Sequence, residues 1–182
     1  MVAEFIETRT GLMFYFNDIE PDKINIIDIA HHLSNLCRFT GAVKEFYSIA
    51  EHSVVVSNLV PLADALSALM HDASEAYLND INIPAKRLLP DYKALEKKVQ
   101  SAIEEKYGFV SNKNVVYADT TALVAEAKEL MGAACDEEWF GGTIPDYDER
   151  FKYKSIPMTP RQANKAFLRR FFLLTGGKFP NG

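Results

Sequence analysis

The sequence predicts an all-α fold: a bundle of about six helices preceded by a small N-terminal β-hairpin. Three observations carry this prediction. From Asp28 onward, apolar residues recur at helical rather than alternating spacing. Capping signatures punctuate that pattern, at Ser48-Ile49-Ala50-Glu51 and at Thr159-Pro160. Before it, one short stretch is rich in aromatic and β-branched residues around a turn signal.

That stretch is the hairpin. Phe5–Arg9 and Leu12–Phe16 are its strands, and Thr10-Gly11 is the turn. Residues 17–25 read as a loop punctuated by Pro21. Asp28 is placed to cap a first helix running to about Leu36. Residues 38–47, with Gly41, form a loop. Ser48 and Glu51 form a capping box that opens a helix through Leu59. Pro61 suits the first turn of a helix from Leu62 to Leu78. Residues 79–87 read as irregular, with Pro84. Pro90 and Asp91 start a helix through Tyr107, which Gly108 stops. Ser111 or Asn112 caps a helix to about Met131. Residues 137–157 are loop-rich, and Thr159-Pro160 starts a last helix to Leu174.

The 182 residues suit a single domain, with no internal repeat and no linker. A composition 48% hydrophobic and 25% charged is that of a globular protein. The net charge of −5 argues against sequence-blind binding to a nucleic-acid polymer, which needs a basic stripe. A phosphate-bearing small ligand needs only a few local cations. Cys37 and Cys135 have no metal-type spacing and read as two reduced thiols. No signal peptide or membrane-length apolar run is visible, so the expected location is cytoplasmic and no membrane partner is expected.

The most informative feature is the pair His71-Asp72 in the run Leu69-Met70-His71-Asp72-Ala73-Ser74-Glu75. An ionised Asp in an apolar helical stretch is unfavourable unless something pairs with it. A divalent metal would satisfy both side chains. His52 has Val55, Val56 and Leu59 on its helical face, and Asp119 has Val115, Val116, Ala122 and Leu123 on its own. Taken alone, each inward His reads as a hydrogen-bonded core residue and each inward Asp as a cap on a neighbouring helix. Taken together, two inward His and two inward Asp need mutual satisfaction. Mixed nitrogen and oxygen donors suit manganese, iron, cobalt, nickel or zinc better than calcium. His31 and His32 are adjacent and point about 100° apart, so at most one faces any given site. Both read as structural.

These residues resemble those of the HD-domain phosphohydrolases, named for the His-Asp doublet. The resemblance is most detailed to the small bacterial and phage group that includes 5′-deoxynucleotidases and phage dATP triphosphohydrolases. Matching stretches include Asp28–His31, Asn35–Phe39, Phe46–Ser53, Met70–Ile81 and Pro84–Lys86, with similarity in the C-terminal helix around Phe167 and Leu168. The resemblance implies an HD-domain helical bundle, commonly a homo-oligomer. It also implies one divalent transition metal (cobalt, manganese, zinc or similar) held by His52, His71, Asp72 and Asp119, with Asp136 a nearby alternative to the last. Magnesium on the substrate phosphates is an additional expectation. Where the family usually has Gly before and Pro after the second acidic residue of the following loop, this chain has Asn79 before Asp80 and Ile81 after it.

The remaining roles are expectations from residue chemistry. A bound metal polarises a phosphoryl oxygen and lowers the pKa of water. Glu75 follows His71 by one helical turn and can orient the water or protonate the leaving oxygen; Asp80 can share that task or bind ribose. Arg38 and Lys86, in two flanking loops, supply cations for phosphate. Phe39 can stack on a base or pack as a core aromatic, and the sequence does not choose between the two. The expected activity is hydrolysis of a deoxynucleoside mono- or triphosphate, dAMP or dATP being favoured. The competing readings are a degenerate HD scaffold that senses nucleotides and a purely structural metalloprotein. Guanosine tetraphosphate hydrolysis is disfavoured, because those enzymes carry Glu-Asp where this chain has Glu75-Ala76.

Overall fold

In a computed structural model, which describes residues 4–131 and 138–177, the chain is mostly helical with one two-stranded antiparallel sheet. Strands β1 (Phe5–Glu7) and β2 (Met13–Tyr15) pair in the register Ile6 opposite Phe14, and Gly11 turns with φ +83°. The strands are shorter than the sequence suggested. Phe14 is fully buried and stacks on Tyr77, which fixes the hairpin to the helices.

The first helix, α1 (Ile26–Asn35), starts earlier than Asp28. Asn25 is its cap, accepting from the Ile27 amide. Asp28 lies in the first turn, fully buried, and accepts from the Thr10 amide and hydroxyl at 2.7 Å each. It ties the hairpin turn to α1. His32 does the same: its Nε2 accepts from the Arg9 amide and its Nδ1 donates to the Ala76 carbonyl. That is a structural role, as expected.

Helix α2 (Ile49–Leu59) opens with the expected capping box, Ser48 with Glu51. It packs against α1, α3 (Ala65–Leu69), α7 (Lys113–Leu130) and α8 (Pro160–Leu174), so it is the central helix of the bundle. One core cluster gathers Ile29, Leu33, Ile49, Leu69, Met70, Ile103, Phe167 and Phe171. A second joins Val56, Ala68, Val115, Ala118 and Ala122.

The single helix expected from Leu62 to Leu78 is broken into three. A 3-10 turn at Leu62–Asp64 leads into α3, and residues 70–74 form tight turns before α4 (Glu75–Leu78). His71 and Asp72 lie on those turns and not inside a helix. Gln100, on α6 (Pro90–Tyr107), bridges the break. Its Nε2 donates to the Met70 carbonyl at 3.0 Å and its Oε1 accepts from the Ser74 amide at 3.2 Å. Two backbone groups freed by the interruption are thus satisfied by a tertiary partner. The stretch expected to be irregular contains the short helix α5 (Ile83–Lys86), capped by Asn82. Asn112 caps α7, and Thr159 with Gln162 caps α8. Asp136 and Cys135 lie outside the described residues. Among the described residues, no helix is long and apolar enough to cross a membrane.

Candidate metal centre

Three elements deliver the candidate ligands. The capping box starts α2 so that His52 falls on its inner face, fully buried. The turn clamped by Gln100 presents His71 and Asp72, and α7 brings Asp119. The His71 Nδ1 donates to the Ala68 carbonyl at 2.8 Å, which leaves its Nε2 facing the cluster. Nε2 of His52 lies 3.3 Å from Nε2 of His71, 3.7 Å from Asp72 Oδ2 and 3.1 Å from Asp119 Oδ1. The His71 Nε2 is 3.1 Å from Asp72 Oδ2 and 3.6 Å from Asp119 Oδ1.

Tetrahedral ligand atoms at roughly 2.0–2.2 Å from one ion lie roughly 3.3–3.6 Å from one another, and the separations here, 3.1–3.7 Å, bracket that spacing. Two imidazole nitrogens face each other at close range, an arrangement that needs a shared proton or a cation. His52, His71 and Asp72, with their ligand atoms within 4.8 Å of one another, could hold a metal ion. The donor set of nitrogens and carboxylate oxygens fits a borderline divalent cation. Asp119 is more open than its helical neighbours implied. Its side chain is 38% exposed, and Val116, one of the apolar residues on its face, is itself 61% exposed. Val115 and Ala122 are buried as expected.

The charges respond to one another. Burial would raise the Asp119 carboxyl, but hydrogen bonds to His52 and His71 outweigh it and hold it well below the ordinary carboxylate range. Burial likewise opposes ionisation of Asp72, yet the His71 imidazole leaves it lowered to about 2. Burial presses both imidazoles down. The surrounding carboxylates win, Glu126 and Asp119 for His52 and Asp72 and Asp119 for His71, so both are raised.

Arg38 is buried in a 3-10 turn (Arg38–Gly41), its Nη1 3.6 Å from Asp72 and its Nε 3.3 Å from Glu126. Phe39 and Thr40 both adopt left-handed backbone, φ 55° and 54°, which is rare for residues other than glycine, asparagine and aspartate. The turn lays the Phe39 ring 5.2 Å from the Arg38 guanidinium and 6.4 Å from the Trp139 ring. Glu75 is buried in α4, and its Oε2 has no hydrogen-bond partner. Burial, then repulsion from Asp72 and Asp80, pushes its carboxyl well above the ordinary range. Its Oε1 lies 3.4 Å from Lys86 Nζ, and that ammonium is also 2.6 Å from Glu96. Lys86 thus meets Glu75 in this structure, with its charge shared between two carboxylates. Asp80 is half-buried, and burial raises its carboxyl while Arg38 opposes the rise. It follows Asn79, whose φ of 67° and ψ of 161° are a conformation in which glycine is at home. A cleft of about 710 Å³ opens beside His71, Asp72, Glu75 and Lys86 and continues along α6.

One residue of this neighbourhood escaped the sequence analysis. Glu126, on α7, is completely buried. Both its oxygens lie 3.0 Å from His52 Nδ1, and its Oε1 accepts from the Tyr47 hydroxyl at 2.7 Å. The available signal was its place two helical turns after Asp119, amid Ala122, Ala125, Ala127 and Leu130.

The fold and this cluster define a mostly helical protein with a histidine–aspartate group, built around the buried His52, that could hold a metal ion. No protein-family model matches the chain. It is 44% identical over 169 residues to the uncharacterized protein YfdR of Escherichia coli strain K12, covering 92% of this chain and 93% of YfdR. It is 31% identical over 131 residues to an uncharacterized protein of Rhodobacter capsulatus, covering 63% of this chain and 67% of that protein. The chain belongs to the family of YfdR.

Proposed function

We propose that the chain is a metal-dependent phosphohydrolase of the HD-domain type, acting on a deoxynucleoside mono- or triphosphate. The observation that carries this reading is the convergence of the His52, His71, Asp72 and Asp119 ligand atoms beside a buried arginine and the buried Glu75 carboxyl. These four side chains would hold one divalent transition metal. Bound there, the metal would polarise a phosphoryl oxygen and make water more acidic.

The chain's own residues do the rest. Arg38 presents a fixed cation to the phosphate oxygens, and its guanidinium cannot lose its charge. Burial and the neighbouring carboxylates Asp72 and Asp80 disfavour the ionised form of Glu75 and push its carboxyl well above the ordinary range, which suits it to hold a proton for transfer. As a new bond from water oxygen to phosphorus forms and the ester or anhydride P–O bond breaks, Glu75 passes a proton to the leaving oxygen, and the proton given up by the attacking water restores the Glu75 carboxyl for the next turnover. Asp80 and Lys86 set the charge felt by Glu75. The aromatic face of Phe39 offers a stacking surface for the base. Asn79, at the position where the HD pattern usually has glycine, adopts φ 67° and ψ 161°, a conformation that suits glycine, which supports this reading of the loop.

The test is incubation with cobalt or manganese and a panel of deoxynucleoside mono-, di- and triphosphates, scoring phosphate, pyrophosphate and triphosphate release. Turnover with metal, abolished by chelator, is the expected result. Stoichiometric nucleotide binding without product would favour the nucleotide-sensing reading. No turnover of any nucleotide with any divalent metal would overturn the assignment.

A further inference from the structure

Glu126 has a burial and a set of partners that a helix-surface glutamate does not have. It is a carboxylate with zero exposure, facing three polar side chains from outside its own helix. His52 supplies Nδ1 at 3.0 Å, Tyr47 its hydroxyl at 2.7 Å and Arg38 its Nε at 3.3 Å. The Arg38 Nε contact is a charge pair and not an aligned hydrogen bond, since that nitrogen has no hydrogen-bond partner. Burying a carboxylate is unfavourable unless paired charges offset it, and here both the Arg38 and His52 charges lower it.

The geometry points to Glu126 as a positioning residue that locks a metal ligand and the phosphate-binding arginine into one frame. This inference rests on the metal-centre reading above. Glu126 acts on His52 by accepting the Nδ1 hydrogen. An imidazole so engaged turns its Nε2 toward Asp72, Asp119 and His71, as found. A carboxylate on the far nitrogen also makes the near nitrogen a stronger donor to a metal. It acts on Arg38 through charge, drawing the guanidinium to the rear of the site while Nη1 remains 3.6 Å from Asp72. Tyr47 holds the carboxylate from the side, its ring fully packed. Since Asp119 and Glu126 share one face of α7, any axial shift of that helix moves a candidate ligand and its support together.

The test is Glu126→Gln, which preserves shape and a hydrogen-bond acceptor but removes the charge. Folding is checked by circular dichroism and thermal melting. Co2+ affinity is then measured by calorimetry, the visible Co2+ spectrum is recorded, and KM and kcat are taken at saturating metal. The expected result is a folded protein with Co2+ affinity about 10–100-fold weaker, an altered Co2+ spectrum, and a raised KM from a loosened Arg38. A folded Glu126→Gln variant with Co2+ affinity within twofold of the parent and an unchanged spectrum would overturn the inference. If Glu126→Gln does not fold, Tyr47→Phe takes its place, with weaker Co2+ binding in support and unchanged affinity against. Failure of the proposed reaction has a different signature: Co2+ binds, Glu126→Gln weakens it, and no nucleotide is turned over. A parent protein that takes up no divalent ion overturns both.

Discussion

Glu75 and His71 began as two polar residues one helical turn apart, and the structure moves them onto different elements. His71 lies on a turn and Glu75 opens α4, yet both border the same cleft. In the proposed reaction Glu75 is a proton donor and holds no metal. Glu75→Gln should therefore retain bound Co2+ at the parent's stoichiometry while kcat falls about 10²–10⁴-fold. Metal analysis beside steady-state kinetics checks this, and loss of the metal would move Glu75 into the ligand set. The imidazoles carry a second prediction. In the metal-free protein His52 and His71 are raised above the ordinary 6.5. Metal binding needs their neutral forms, so protons compete with it. The protonated fraction grows as pH falls, and with raised values the competition begins above pH 6.5. Co2+ affinity should drop at least tenfold between about pH 8 and pH 6, with protons released on binding. Calorimetry in buffers of different ionisation enthalpy reads both. A flat profile would remove the imidazoles from the metal.

At the scale of elements, the short connection after α4 is the informative one. Asn79 sits at φ 67°, ψ 161°, a region costing a non-glycine residue about 1–3 kcal/mol. Glycine there removes the strain but adds about 0.4–1 kcal/mol of unfolded-chain entropy. Strain is the larger effect, so Asn79→Gly should stabilise the protein by about 1 kcal/mol in denaturant unfolding, with an unchanged m value. Destabilisation would mean that the Asn79 side chain makes a compensating contact. Local capping signals had marked the starts of α2 and α8 correctly, because Ser48 with Glu51 and Thr159 with Gln162 act within one turn. Asp28 misled: a carboxylate near a helix start resembles a cap, but it was needed by Thr10 of the hairpin, and Asn25 caps instead.

For the whole molecule, the candidate ligands come from α2, the turn at residues 70–74 and α7, so an ion held there would cross-link the fold. Bound at 100 times its dissociation constant, one ion adds about 2.7 kcal/mol of stability. At about 2–4 °C per kcal/mol for a chain of this size, Co2+ should raise Tm by roughly 5–10 °C. Chelation should reverse it, as differential scanning calorimetry would read. No shift with any divalent ion would argue that the four side chains meet without holding one.

The sequence by itself determined the helical character, the hairpin, the capped starts of α2, α7 and α8, the stop of α6 at Gly108, and the identity of the doublet. Those depend on residues within a turn or two of each other. Tertiary structure decided the rest. It broke the helix at residues 70–74, where apolar spacing ran on without a stop signal. The break stands because Gln100, from another helix, satisfies the freed backbone groups. It chose Glu126 over the other acids of α7 by burying it against His52, Arg38 and Tyr47. It also left Asp119 part open beside an exposed Val116. A buried charge is tolerable only where its partners are, and partners drawn from distant segments leave no mark in the spacing of any one segment.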